Sequence, residues 1–330
     1  MKKFYTLSFI LLTALSFGQV TLPHYEGLDY TSGAALQTQT GWTLLNSGDD
    51  LAITTGSLSF PNLVASTGNK VGFGGGGIDA YKAFTAQTSG TVYYSLLLNV
   101  GSMTGVTDPN GGYIAGLAFD NTSFGGTLWT KRVDDTNFNI GIEVRTAVGA
   151  LTTYTTGSYQ TGKTYLIVVA YTFNTGGAAD DVTKLWINPV PGDAEPTATL
   201  TDTHAGADLT NAGRFFLRQD SVTETPALEI DELRIGTTWA AVTPKAPLGV
   251  KANLIAGLNV YPNPVKDGNL YITSNSSEAK TVSVYDILGK QVLNAKTSNN
   301  AVNVSSLKGG AYIVKITEEG KTDTRKLIIQ

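Results

Sequence analysis

Phe138-Asn139-Ile140-Gly141-Ile142-Glu143-Val144-Arg145 alternates apolar and polar side chains without a break, the period-two pattern of a strand with one face buried and one face wet. Residues 91–99 and Thr164 to Phe173 are apolar on both faces, as the central strands of a two-layer structure are. Further strands are expected at 57–60, 113–119, 127–132, 183–187, 213–218 and 228–235. Thr, Tyr, Val and Gly dominate these stretches, and no amphipathic helix longer than about 10 residues stands out. The reading is all-β.

Composition narrows the classes. With 42% hydrophobic residues in a chain of 330 there is enough apolar material for a sizeable core, and disorder is excluded. No Cys and two His leave little for zinc or thiol chemistry, so any metal is expected to be a hard, oxygen-bound ion such as calcium. Charge divides the chain: residues 20–243 carry 10 Lys and Arg against 21 Asp and Glu, whereas 245–330 carry 11 against 6. Two units of different origin are implied, and the acidic one would repel a phosphate backbone, so nucleic acid is not an expected partner.

The N-terminus reads as an address. Met1-Lys2-Lys3 precedes an apolar run from Phe4 to Phe17, and small residues follow it, so 1–18 are expected to be a secretory signal peptide cut after Gly18. No later stretch is long and apolar enough for a membrane helix, so none is expected in the mature chain. A β-sandwich is expected over 19–243 and a proline-interrupted linker over 244–257, where Pro244 and Pro247 stop either sheet from continuing.

From Leu258 the texture changes to short alternating pieces separated by Gly and Asn, the pattern of a small sandwich. Tyr261-Pro262-Asn263-Pro264 opens the region, Tyr285-Asp286 and Gly289-Lys290 mark its centre, and Gly310-Ala311-Tyr312 and Lys326-Leu327-Ile328-Ile329 close it. In that order these motifs resemble the type A C-terminal sorting domain of the Bacteroidetes type IX secretion system. The resemblance implies a small Ig-like β-sandwich over 258–330, the type IX machinery as a partner, and export from the periplasm to the outer-membrane surface or the medium. The final residue, Gln330, departs from the Lys common there.

In the larger unit, Gly41-Trp42, Gly68-Asn69-Lys70, Val92-Tyr93-Tyr94-Ser95, Gly112 to Leu117, Lys184 to Pro189 and Ile230 to Gly236 resemble in their order the concanavalin A-like, laminin G-type jelly roll. The resemblance implies a fold often used to bind sugars or surface ligands.

Three apparent motifs are declined. Gly157 to Thr164 fits G-x-x-x-x-G-K-[ST], but a β-branched run follows it where a phosphate site needs a helix N-terminus. Gly72 to Gly77 fits G-x-G-x-x-G with no helix after it. Glu229-Ile230-Asp231-Glu232-Leu233 approaches the E-x-D-x-E of laminarinase-like glycosidases, but the last position is Leu, and Glu232 faces the other way unless a bulge intervenes. His24 and His204 belong to no H-E-x-x-H pattern.

Binding remains. An aromatic face against a pyranose ring suits sugar recognition, and Tyr113, Phe124, Trp129 and Tyr154 are the candidates, on loops or strand ends; Trp42, Trp186 and Trp239 are assigned to the core. Asp134, Asp135, Asp180 and Asp181 are candidate calcium ligands. The function expected is a secreted or surface-bound, non-enzymatic protein that binds polysaccharide or cell-surface glycan, or adheres. The alternatives are a polysaccharide-degrading glycoside hydrolase and a purely structural surface or biofilm component. A chain truncated before Pro244 is expected to stay inside the cell envelope, as read by immunodetection on intact cells and in the medium; delivery equal to that of the full chain would refute the sorting role.

Overall fold

A computed structural model describes residues 19–146, 151–203, 206–247 and 254–330. The expected leader, His204 and residues 248–253 of the expected linker lie outside them. The chain divides into two compact units, Met1–Pro247 and Leu248–Gln330.

The alternation at Phe138 becomes the strand Asn137–Glu143, whose Phe138, Ile140 and Ile142 are fully buried. The larger unit stacks two antiparallel eight-stranded sheets. The first runs Leu200–Asp202, Val182–Ile187, Thr164–Phe173, Gly90–Ser102, Ala227–Gly236, Lys70–Phe73 and Ala52–Thr54, with His24–Glu26 also paired to Ala227–Gly236. The second runs Thr153–Tyr154, Asn137–Glu143, Phe124–Arg132, Gly112–Ala118, Ala212–Leu217, Ala80–Gln87 and Trp42–Leu44, with Tyr159–Gln160 also on Asn137–Glu143. Between them Val92, Tyr94, Leu96 and Leu98 of the first sheet meet Ile114, Leu117, Leu128 and Phe215 of the second. Burial of such side chains, about 1.5–3 kcal/mol each, is the main force holding the layers together.

The two outward faces differ. On the first sheet Leu97, Leu166, Val168 and Trp186 are roofed by Leu58 and Leu63 from a long connection and by Trp239 and Val242 from the short helix Trp239–Val242. The strand expected at 57–60 is therefore a covering segment: the Leu58 N–H donates to the Asp231 carboxylate at 2.8 Å instead of to a neighbouring strand. Trp42, Trp186 and Trp239 are all buried, as assigned.

Ala80–Gln87 is a strand that alternation does not reveal, because Lys82 stands at an inward position between Ala80 and Phe84. A lone buried ammonium would be prohibitive. Here its Nζ lies 2.6 Å from Glu26 Oε2 and 5.2 Å from the centre of the Trp42 ring, while the Tyr30 hydroxyl donates to the same carboxylate at 3.0 Å.

The smaller unit has a sheet of Asn259–Tyr261, Asn269–Thr273 and Ala301–Asn303 and another of Gln291–Lys296, Thr281–Tyr285, Gly310–Glu318 and Lys321–Ile329, around Leu270, Ile272, Val282, Val284, Val314 and Ile316. Its signature residues are clamps and turns. Asn263, between Pro262 and Pro264, donates to the Lys326 carbonyl at 2.8 Å and accepts from the Ile328 N–H at 2.9 Å, tying the opening to the last strand. Asp286 accepts from the Leu288 and Lys290 N–H groups, and Gly289 takes the positive φ of 82° that this hairpin needs. Tyr261 stacks on Tyr271, the Tyr285 backbone pairs with Ile313, and Tyr312, two residues after Gly310, donates to the Lys308 carbonyl. The expected linker is shorter than 244–257: the Pro244 carbonyl accepts from Val64 in the larger unit, and Ile255 is buried in the smaller core.

Glu26→Ala is expected to destabilise the larger unit by about 3–5 kcal/mol by stranding the Lys82 ammonium, measured by urea unfolding of the full chain. Glu26→Leu combined with Lys82→Met should recover most of that loss.

Candidate functional site

The outward face of the second sheet carries an aromatic row that no apolar segment among the described residues roofs. Tyr113 from Gly112–Ala118 lies opposite Trp129 from Phe124–Arg132, with ring centroids 5.1 Å apart. Phe124 and Phe216 each approach Tyr113 at 6.1 Å and one another at 4.9 Å. Tyr154 and Tyr81 pack against the same cluster. Room for the rings comes from missing side chains: a Cβ at Gly141 would stand 2.6 Å from the Tyr154 ring, and one at Gly116 would stand 2.9 Å from Phe216. All four aromatic candidates thus share one surface. Tyr113 and Trp129, however, are not open platforms at loops; they lie within strands and are only 7% and 6% exposed.

Cations cover them. The Arg145 guanidinium lies 4.2 Å from the Tyr113 ring centre and 5.6 Å from that of Trp129, and the Arg218 guanidinium lies 4.0 Å from Tyr113. Such stacking is worth about 0.5–2 kcal/mol per pair and fixes the planar fork in place. Arg145 sits just beyond Asn137–Glu143 with a φ of 67°, followed by Thr146 at 63°, two consecutive left-handed residues without Gly. Each such conformation costs about 1–3 kcal/mol. Burial pushes the Tyr113 phenol above its ordinary pKa, Arg218 and Arg145 opposing the rise, so the hydroxyl keeps its proton at neutral pH. Among the described residues it has no hydrogen-bond partner.

A ring of acids surrounds the cations. Arg218 contacts Asp220 at 2.7 Å, Asp79 at 3.8 Å and Glu224 at 3.9 Å, and Arg145 contacts Glu143 at 3.7 Å. Asp108, Asn110 and Gly111 complete a cavity of about 260 Å³ over Tyr113 and Trp129. Burial pushes Asp79 up to about 6 and Glu224 up to about 7. The sequence reading missed Arg145, Arg218, Asp79 and Glu224; the available signal was that Arg145 holds the outward phase of the alternation at 138–145.

The laminarinase-like motif lies elsewhere. A bulge between Asp231 and Arg234 does turn Glu232 onto the face of Glu229 and Asp231, but that face belongs to the roofed first sheet. There Glu232 is fully buried, 2.6 Å from Arg234, and receives the Tyr25 hydroxyl at 2.5 Å. Asp231 holds Leu58, and Glu229 pairs with Lys70 at 3.2 Å. These carboxylates brace the bulge and hold the roof, leaving no open acid/base pair.

The calcium candidates occupy turns on different sheets. Asp134 accepts from Thr136 and Asn137, and Asp135 pairs with Arg132 at 2.9 Å. Asp180 and Asp181 meet Asp208, with one oxygen of each within 4.8 Å of the others. Asp181 is already engaged by Tyr171 and the Asn174 N–H, and Asp208 by the N–H groups of Asp180 and Asp181. The Asp180 side chain differs from its two neighbours: its Oδ1 is buried with no hydrogen-bond partner among the described residues.

Residues 259–330 match the secretion system C-terminal sorting domain. A tail of this family implies export to the cell surface or extracellular space by way of the secretion machinery. Among the described residues no helix is long and apolar enough to cross a membrane. An ulvan lyase of Nonlabens ulvanivorans is 27% identical over 163 residues, 47% of this chain and 29% of that protein. The chain thus spans less than a third of that relative's length, yet the match is longer than the 259–330 tail and must reach into the larger unit. Among solved structures, alginate lyase Aly36B is 15% identical with a TM-score of 0.36, covering 58% of this chain and 87% of that one. The alginate lyase of Aplysia kurodai is 13% identical with a TM-score of 0.34, covering 56% and 87%. Both structural likenesses are too loose to bear on fold or activity. The expectation of a non-enzymatic protein is corrected by the relative in sequence, which is a lyase.

Proposed function

We propose that the chain is an exported polysaccharide lyase acting on uronic-acid-containing chains, with its site on the unroofed face of the second sheet and a concanavalin A-like jelly roll as scaffold. The observation that carries this reading is the pair of guanidiniums, Arg145 and Arg218, held over the single phenol Tyr113. The likeness to an ulvan lyase supports the reaction type.

A lyase cleaves by elimination. The C–H next to the sugar carboxylate gives its proton to a base, a role the Asp108 carboxylate lining the same cavity can fill; a C=C bond forms toward the neighbouring carbon, and the glycosidic oxygen departs with a proton supplied by an acid. The carbanion-like charge develops on the carboxylate, so fixed cations there lower the barrier. Arg145 and Arg218 present two planar forks that match a carboxylate. Tyr113, protonated at neutral pH and in contact with both guanidiniums, can give its proton to the departing oxygen. Phe124 and Tyr154 extend the apolar floor for neighbouring rings. A glycosidase needs instead two carboxylates flanking one bond, whereas in the Glu229 to Glu232 group Asp231 is held by Leu58 and Glu232 is buried on Arg234.

The full chain incubated with ulvan is expected to generate products with the ultraviolet absorbance of an unsaturated sugar end. Tyr113→Phe should lower kcat by about 10²–10⁴-fold with little change in KM. New reducing ends without that absorbance would mean hydrolysis and would overturn the reading.

A further inference from the structure

The site described above holds a contradiction for an enzyme of acidic chains. Facing Arg218 from every element packed around it are Asp79 ahead of Ala80–Gln87, Asp108 ahead of Gly112–Ala118, Tyr113 on that strand, and Asp220 and Glu224 in the turn after Ala212–Leu217; Arg145 with Glu143 stands across the phenol. Carboxylates outnumber guanidiniums, so in its fully ionised state this cavity repels a polyanion. The turn holds the acids in place. The Thr225 hydroxyl accepts from the Asp220 N–H at 3.0 Å, and the Ser221 carbonyl accepts from the Glu224 and Thr225 N–H groups at 3.1 and 2.9 Å. Asp220 and Glu224 are thereby presented to one guanidinium, at 2.7 and 3.9 Å.

We propose, on the reading that this is the site of an acidic-polysaccharide lyase, that Asp220 and Glu224 stand in for the sugar carboxylate on Arg218, so that the enzyme takes its substrate only as this carboxyl pair accepts a proton. Glu224 is a positioning residue here: it acts through Arg218 and not on the sugar. Its proton affinity supports the role, since burial first and the neighbouring Asp220 second lift it to about 7. The sign follows from linkage. A ligand carboxylate on Arg218 takes a cation from Glu224 and adds an anion near it, so Glu224 is more protonated in the complex than in the free protein. Binding therefore takes up a proton, and affinity rises as pH falls through the region of about 7, by up to about tenfold per pH unit for one proton.

The test measures binding of ulvan to the full chain by calorimetry in a Tyr113→Phe background, which limits turnover. Between about pH 8 and about pH 6 the affinity is expected to rise about tenfold. Adding Glu224→Gln should give tight binding at both ends and a flattened profile, and Asp220→Asn should flatten it partly; thermal melting confirms that each variant is folded. A Glu224→Gln variant that keeps the full slope, or that binds more weakly than its parent at about pH 8, overturns the proposal while leaving the lyase reading intact. Binding that is indifferent to Arg218→Ala overturns the lyase site itself and this proposal with it.

Discussion

A sandwich of two sheets has two outward faces, and among the described residues apolar segments roof only one of them. Leu58, Leu63, Trp239 and Val242 close the first sheet, leaving its outward carboxylates to serve the structure. Among the described residues no such segment covers the second sheet, yet it too carries large rings outward at Tyr113, Trp129, Phe124 and Phe216. Apolar rings cannot stay open to water without cost. The chain resolves this with amphipathic side chains: Arg145 and Arg218 each lie close to the Tyr113 ring, at 4.2 and 4.0 Å, and Arg214 lies over Tyr81 at 4.3 Å. A guanidinium that covers a ring also presents donors to an arriving anion. The same packing need that keeps the face folded thus furnishes its chemistry.

Much of the architecture was legible in the order of residues. Alternation at 138–145 and the doubly apolar runs at 91–99 and Thr164–Phe173 mark strands that the structure contains, and the tail carries turn and clamp residues specific enough to identify it. Where a side chain broke the rule, legibility failed. Lys82 hid the strand Ala80–Gln87, since only a partner far away in sequence, Glu26, makes an inward ammonium acceptable. Leu58 read as a strand residue because its apolar character serves a roof.

The site was half legible. Four aromatics drawn from three strands were singled out by type, and they share one surface. The arginines that define its chemistry were not, because Arg145 depends on two left-handed residues and Arg218 on the alignment of Ala212–Leu217 beside Gly112–Ala118. Neither is visible as a spacing. The same reason bears on the mistaken expectation of a protein without catalysis: the constellation we propose as the site lies in no contiguous motif, and the contiguous motif that approached a glycosidase pattern, Glu229 to Glu232, is a bulge locked by Arg234 and Tyr25.

The central claim is that the guanidiniums over Tyr113 receive a sugar carboxylate. It is tested most directly by a crystal structure of the Tyr113→Phe chain bound to a uronate trisaccharide. The account predicts one carboxylate hydrogen-bonded by both Arg145 and Arg218, above the ring at position 113. A trisaccharide seated on the roofed sheet, or lying on the second sheet with its carboxylates turned away from both arginines, would contradict it.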